Sequence, residues 1–251
     1  MTNLMGPGGE ALEPRTSAVR HVSPSQAVAS ATEAAAQALQ HAKPKLRGWF
    51  HAGTFPLALA AGIVLIALAP TAGTAGACAI FAVSSWLLFG VSGVYHRGTW
   101  GPTTQAVLRR LDHTNIFLII AGTYTPLSVV LLPRHSAEVL LTLVWAGALI
   151  GIGMRVLWLG APRWLYVPCY LALGWAAIFY MPQFLQHGGW AVVGPVVAGG
   201  LLYSAGAVVY AIKKPNPSPK WFGFHEIFHV FTIAAFVCHY IAISITVYAR
   251  T

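Results

Sequence analysis

The stretch HEIFHVFTIAAFVCHYIAISITVY, residues 225–248, decides the architecture. As a helix rising 1.5 Å per residue it spans the roughly 30 Å hydrocarbon core of a bilayer. It is apolar on every side except at its start, so it has no polar face to turn towards water. The exception is His225-x3-His229. Residues four apart on a helix stack on one face, about 6 Å from each other, so these two imidazoles can grip one metal ion.

The rest of the chain repeats the pattern. Hydrophobic residues make up 57% of the 251 and charged residues 8%, whereas a soluble domain carries about 25% charged residues. Six further apolar runs precede the last, at about Thr54–Thr71, Ala77–His96, Thr114–Leu132, Ala137–Leu157, Leu165–Gln183 and Trp190–Ile212. The expected fold is all-α, a bundle of seven transmembrane helices from residue 48 to 251, multi-pass in the inner (plasma) membrane. Pro126, Pro168 and Pro195 fall inside these runs and predict kinks. The first 47 residues differ in kind. They contain Gly6-Pro7-Gly8-Gly9 and an Ala-, Ser- and Gln-rich stretch with no apolar face, so a disordered cytoplasmic tail is expected there. They also lack the apolar core of a secretory signal peptide.

Formal charge is +9, but the basic residues lie in loops rather than on a helix face with interleaved aromatics, which argues against nucleic acid. Their distribution orients the bundle. With the N-terminus inside, Arg15, Arg20, Lys43, Lys45, Arg47, Arg97, Arg109, Arg110, Arg155, Arg163, Lys213, Lys214 and Lys220 are cytoplasmic, and only Arg134 and Arg250 are outside. By the positive-inside rule this predicts N-in and C-out. The three cysteines, Cys78, Cys169 and Cys238, form no CxxC and are expected to be apolar packing residues.

That topology brings the polar residues to one depth. His96 ends the second span, Asp112 (the single aspartate) precedes the third, and His225 and His229 begin the seventh, all on the cytoplasmic side. Ser92 lies one turn deeper than His96 on the same face. Ionisable residues at membrane-helix ends are expensive and usually functional. Three imidazoles, a carboxylate and a hydroxyl read as a metal site, with zinc the expected ion because three protein ligands plus an open position suit catalytic zinc.

Other readings compete. His225-Glu226-Ile227-Phe228-His229 matches the HExxH signature in which the Glu is a metalloprotease base, but no further ligand of that motif is found, and Asp112 can serve as base instead. His239 lies roughly 15 Å deeper than His229, too far for one ion, and is expected to be a hydrogen-bonded core histidine. His113 points about 100° from Asp112 and is expected to be a supporting or interfacial group. His21, His41, His51, His135 and His187 are expected to be solvated at helix ends, in loops or in the tail.

Ser92-Gly93-Val94-Tyr95-His96-Arg97-Gly98, then Leu111-Asp112-His113-Thr114-Asn115-Ile116 with Ala121-Gly122-Thr123-Tyr124-Thr125-Pro126, then Phe224 to His229 with Cys238-His239, resemble the hemolysin III family. That family is a bacterial branch related to the progestin and adipoQ receptors and, more distantly, to alkaline ceramidases. The resemblance covers about residues 45–248. It implies a seven-helix bundle with zinc held by His96, His225 and His229, and it maps the family's Ser and Asp to Ser92 and Asp112.

The function expected from this is a zinc-dependent hydrolase of lipid amide or ester bonds, with a membrane lipid as substrate. Asp112 would accept a proton from water and pass it to the leaving group, and Ser92 would hold the water or the developing oxyanion. The alternatives are a receptor-like or signalling bundle with structural zinc, and a membrane-damaging cytolysin as the family name implies. Ion transport is disfavoured because the outer halves of the spans are nearly free of polar residues, Ser204 and Thr232 being exceptions.

Overall fold

The computed structural model describes residues 44–249 together with Val28, and the regular elements of these residues are helical. In chain order they are α1 (Trp49–Ala67), α2 (Ala72–Arg97), α3 (Pro102–Leu131), α4 (Arg134–Leu157), α5 (Arg163–Gly174), a 3-10 turn (Ala176–Tyr180), α6 (Met181–Ile212) and α7 (Phe224–Tyr248). Six stretches are long and apolar enough to cross a membrane, Arg163–Ile212 counting as a single stretch of 50 residues. Outward positions carry large apolar side chains such as Leu57, Ile150 and Phe179, at 71%, 74% and 84% exposure, while Ser84, Ser85, Ser92 and Asn115 are buried. This inversion of a soluble protein's pattern is what lipid as solvent selects.

Several helices start earlier than the apolar runs suggest. A helix needs caps rather than hydrophobicity to begin. Thr71 caps α2 by accepting from the Thr74 amide at 3.1 Å, and Pro102 opens α3 at a position where a missing N–H is harmless. Asp112 therefore lies well inside α3 rather than ahead of it. The expected tail also ends sooner. The Lys45 and Leu46 amides donate to the Lys220 and Trp221 carbonyls at 3.0 and 3.2 Å, so Pro44–Arg47 are pinned to the loop before α7. The rest of the expected disordered tail, Val28 aside, lies outside the described residues.

Side chains tie neighbouring helices together. Trp86 Nε1 donates to the Ala58 carbonyl (3.0 Å), Asn115 Nδ2 to the Leu87 carbonyl (2.8 Å) and the Tyr240 hydroxyl to the Ala61 carbonyl (3.2 Å). These join α1 to α2, α2 to α3 and α7 to α1. Where α5 breaks, Tyr124 of α3 serves the freed backbone: its hydroxyl donates to the Gly174 carbonyl at 2.7 Å and accepts from the Ala177 amide at 2.9 Å. Interrupted helices survive in lipid only when such partners exist.

The long stretch Arg163–Ile212 turns back on itself. The Tyr166 hydroxyl lies 3.4 Å from that of Tyr210, and Trp175 Nε1 donates to Ser204 Oγ at 2.9 Å. As the first partner advances along the chain the second retreats, so the two halves run antiparallel about a midpoint near Gly189. Gly189 has φ 64° and ψ −176°, a conformation essentially confined to glycine. The non-helical backbone inside α6 is thus at Gly189 rather than at Pro195.

Candidate metal centre

Three helices bring polar groups to the loop-proximal end of the bundle. His96 is in the last turn of α2 and is 7% exposed, while His225 and His229 lie in the first two turns of α7. Their rings converge. Centroids are 4.6 Å apart for His96–His225, 5.1 Å for His96–His229 and 4.6 Å for His225–His229, and one ligand nitrogen from each lies within 4.8 Å of the others. These three residues could hold a metal ion.

One pair of rings has the spacing of ligands on a tetrahedral ion. His96 Nε2 and His225 Nε2 are 3.2 Å apart. Two nitrogens each 2.0–2.1 Å from a tetrahedral zinc ion would stand about 3.3 Å apart. Two neutral imidazoles brought this close can share at most one proton between their nitrogens, whereas a cation satisfies both lone pairs. Nδ1 of His229 has no hydrogen-bond partner among the described residues.

Asp112 and Ser92 join the cluster. Asp112 Oδ2 is 3.6 Å from His96 Nε2, with 14% of its side chain exposed. Ser92 is 2% exposed and its side chain faces that of Asp112. The start of α1 closes over this corner. Gly48, at φ 79°, packs so tightly that a Cβ there would come within 2.8 Å of His96 Cβ, so both its backbone angle and its contact require glycine.

Glu226 faces elsewhere. It is fully buried, forms an ion pair with Arg47, and accepts from the Gly223 amide at 2.7 Å. Both of its oxygens are therefore occupied in pinning the preceding segment and capping α7. A glutamate so bound is not the general base that the HExxH pattern suggests.

His51 is the residue that sequence reasoning missed. It was expected to be solvated, yet it is 2% exposed, in the first turn of α1, stacked on His229 with centroids 3.8 Å apart and planes 9° apart. One available signal was its position at the start of an apolar run, at the same end of the bundle as the other three. His135 and His187 are exposed, as expected, and His21 and His41 lie outside the described residues.

His113 is buried, with Nδ1 2.6 Å from the Arg109 carbonyl and its ring edge-on to Tyr166. His239 is buried against Tyr203, but its Nδ1 lacks a hydrogen-bond partner among the described residues, so the expected hydrogen-bonded role does not hold for that nitrogen. Cys78 is buried as expected. Cys169 is exposed and does not pack in the core.

A depression of about 220 Å³ opens beside the cluster, lined by Pro44, Lys45, Arg47, Trp49, His96 and Arg97. It reaches one of the three candidate ligands directly.

Residues 39–240 match the family described as Haemolysin-III related. The chain is 30% identical over 180 residues to Hemolysin-3 of Bacillus cereus, covering 70% of this chain and 79% of that protein. It is 34% identical over 146 residues to a Hemolysin-3 homolog of Bacillus subtilis (strain 168), covering 58% of this chain and 68% of that one. This chain belongs to the Haemolysin-III related family and is a multi-pass membrane protein.

Proposed function

We propose that this member of the Haemolysin-III related family is a zinc-dependent hydrolase of lipid amide or ester bonds, working at the cytoplasmic face of a seven-span bundle. The observation that carries the reading is the meeting of His96, His225 and His229 within 4.8 Å, with the chain's single aspartate 3.6 Å from His96. A carboxylate this close to one ligand is placed to accept a proton from water held at the same site.

Seven spans follow if Arg163–Ile212 crosses twice. A straight 50-residue helix would be about 75 Å long, more than twice the hydrocarbon thickness, and the side-chain pairs about Gly189 support a turn there. Thirteen cytoplasmic Lys and Arg against two outside support an inward N-terminus.

His96, His225 and His229 would hold the ion. Bound zinc supplies Lewis-acid polarisation of a carbonyl and acidification of water near neutral pH. The protein's own groups do the remaining work. Asp112 takes a proton from the attacking water and returns it to the leaving amine or alcohol. Before that transfer the single hydroxyl hydrogen of Ser92 serves the Asp112 carboxylate, and after it the same hydrogen serves the developing oxyanion. Burial of Ser92, His96 and His229 limits access of bulk water, which strengthens each of these interactions.

The test is release of fatty acid from a broad panel of amide- and ester-linked lipids by purified, zinc-loaded protein. Turnover that disappears in Asp112→Asn while zinc remains bound supports the reading. No release from any lipid in the panel overturns it, and a receptor-like or signalling bundle with structural metal becomes the better description.

A further inference from the structure

The depression beside the metal centre has a composition the hydrolase reading does not use. Lys45, Arg47 and Arg97 contribute to its wall with Trp49 and the candidate ligand His96. From residue 44 to 249 the protein has three carboxylates, Asp112, Glu138 and Glu226. Glu226 is paired with Arg47 and Glu138 with Arg134, while Asp112 stands against His96. Among the described residues none is left for Lys45 or Arg97.

Those two cations are held instead by aromatic faces. The Arg97 guanidinium lies 3.9 Å from the Trp49 ring centroid, and Lys45 Nζ 4.4 Å from that of Trp221. A cation–π contact positions a cation without neutralising its charge. Backbone pairing of Lys45 and Leu46 with Lys220 and Trp221 fixes the segment that carries one of them. The result is two positive charges, each held by a tryptophan, on the wall of a depression that His96 also lines. Trp49 and Trp221 are about half exposed, as tryptophans at headgroup depth are.

We propose that this mouth binds the phosphate of an anionic lipid headgroup, so that the lipid presented to the metal centre is a phospholipid of net negative charge. The inference rests on the metal-centre reading for its consequence, but headgroup binding itself needs only the mouth. An arginine fork and a lysine ammonium together match a phosphate, the fork taking two oxygens and the ammonium another. Apolar tryptophan surface beside them favours a phosphate carried by a lipid over the free ion. A zwitterionic headgroup brings its own cation, which the two unneutralised charges repel.

The experiment titrates short-chain phosphatidylglycerol, phosphatidylcholine and inorganic phosphate into the full-length protein in a neutral detergent, reading the rise in Tm. Phosphatidylglycerol should raise Tm at concentrations where phosphatidylcholine and inorganic phosphate do not. With about 1 kcal/mol per basic residue near the membrane surface, Lys45→Gln with Arg97→Gln should weaken that binding roughly 30-fold. Arg134→Gln, a cation elsewhere, should leave it unchanged, and Lys45→Ala with Arg97→Ala serves if the first double variant does not fold. Equal binding of phosphatidylcholine, binding of inorganic phosphate as tight as that of phosphatidylglycerol, or equal loss in Arg134→Gln would each overturn the proposal. The His225→Ala protein should keep its preference for phosphatidylglycerol. In the wild type, the preference without turnover of any lipid sinks the hydrolase reading alone, and turnover of neutral lipids without the preference sinks this inference alone.

Discussion

The imidazole of His51 lies flat on that of His229, with 3.8 Å between centroids and 9° between planes. Phe89 closes edge-on against His51 at 5.1 Å. The stack clamps the His229 ring by its face and leaves a ring nitrogen to the cluster. Hydrogen-bonded partners that fix a ligand's orientation are typically worth about 10- to 100-fold in metal affinity, and a stacked ring restrains the same ring at the low end of that range. His51→Ala should therefore lower zinc affinity by about tenfold, and His51→Phe should recover most of it by refilling the stack. Competition with a chromogenic chelator measures both, and full affinity in His51→Ala would show that the stack is incidental.

Which parts of this were legible in the sequence follows from what sequence carries. His225-x3-His229 and Ser92-x3-His96 are local spacings on one helix, and the depth shared by His96 and Asp112 follows from counting crossings. Both were readable without coordinates. The role of His51 was not, because it depends on the angle at which α1 packs on α7, a tertiary quantity. Glu226 was ambiguous for the same reason. Its motif suggests a base, and only the position of Arg47, far away in sequence, shows that it faces the other way. Helix starts were read late because apolar periodicity does not report caps such as Thr71 and Pro102.

Glu226 provides a sharp contrast with Asp112. Removing one partner of a buried ion pair leaves the other charge uncompensated and costs about 3 kcal/mol. Glu226→Gln should thus lower Tm markedly while the protein still binds one zinc per chain. Asp112→Asn should leave Tm and zinc content close to wild type and lower turnover by about 10²- to 10⁴-fold, the usual range for a general base. If Glu226→Gln instead abolished turnover in a fully stable protein, the metalloprotease-like assignment would return.

The proposed seven-span topology depends on the backbone at Gly189. At φ 64° and ψ −176° any side chain is strained by about 1–3 kcal/mol, so Gly189→Ala should destabilise the protein while Gly194→Ala, inside a regular helix and with open space around it, should not. If the chain reverses there, His187→Cys and Lys213→Cys lie on opposite sides of the membrane. In a background with Cys78, Cys169 and Cys238 replaced by serine, an impermeant maleimide added to intact cells should label the first and spare the second. Labelling of both from one side would refute seven spans.

An ion held by His96 and by the His225–His229 pair joins the end of α2 to the start of α7, elements distant in sequence. Its binding energy therefore adds to the stability of the bundle. With free zinc at 1,000 times its dissociation constant, the contribution is about 4 kcal/mol. Chelation should lower the Tm of the wild type to near that of His225→Ala, and the same chelator should leave His225→Ala unmoved, because the two treatments remove the same link. The comparison separates metal loss from unrelated damage by the mutation. A further fall on chelating His225→Ala would mean that a different set of residues binds the ion. Equal Tm values for wild type with and without chelator would mean that the three histidines meet without holding one.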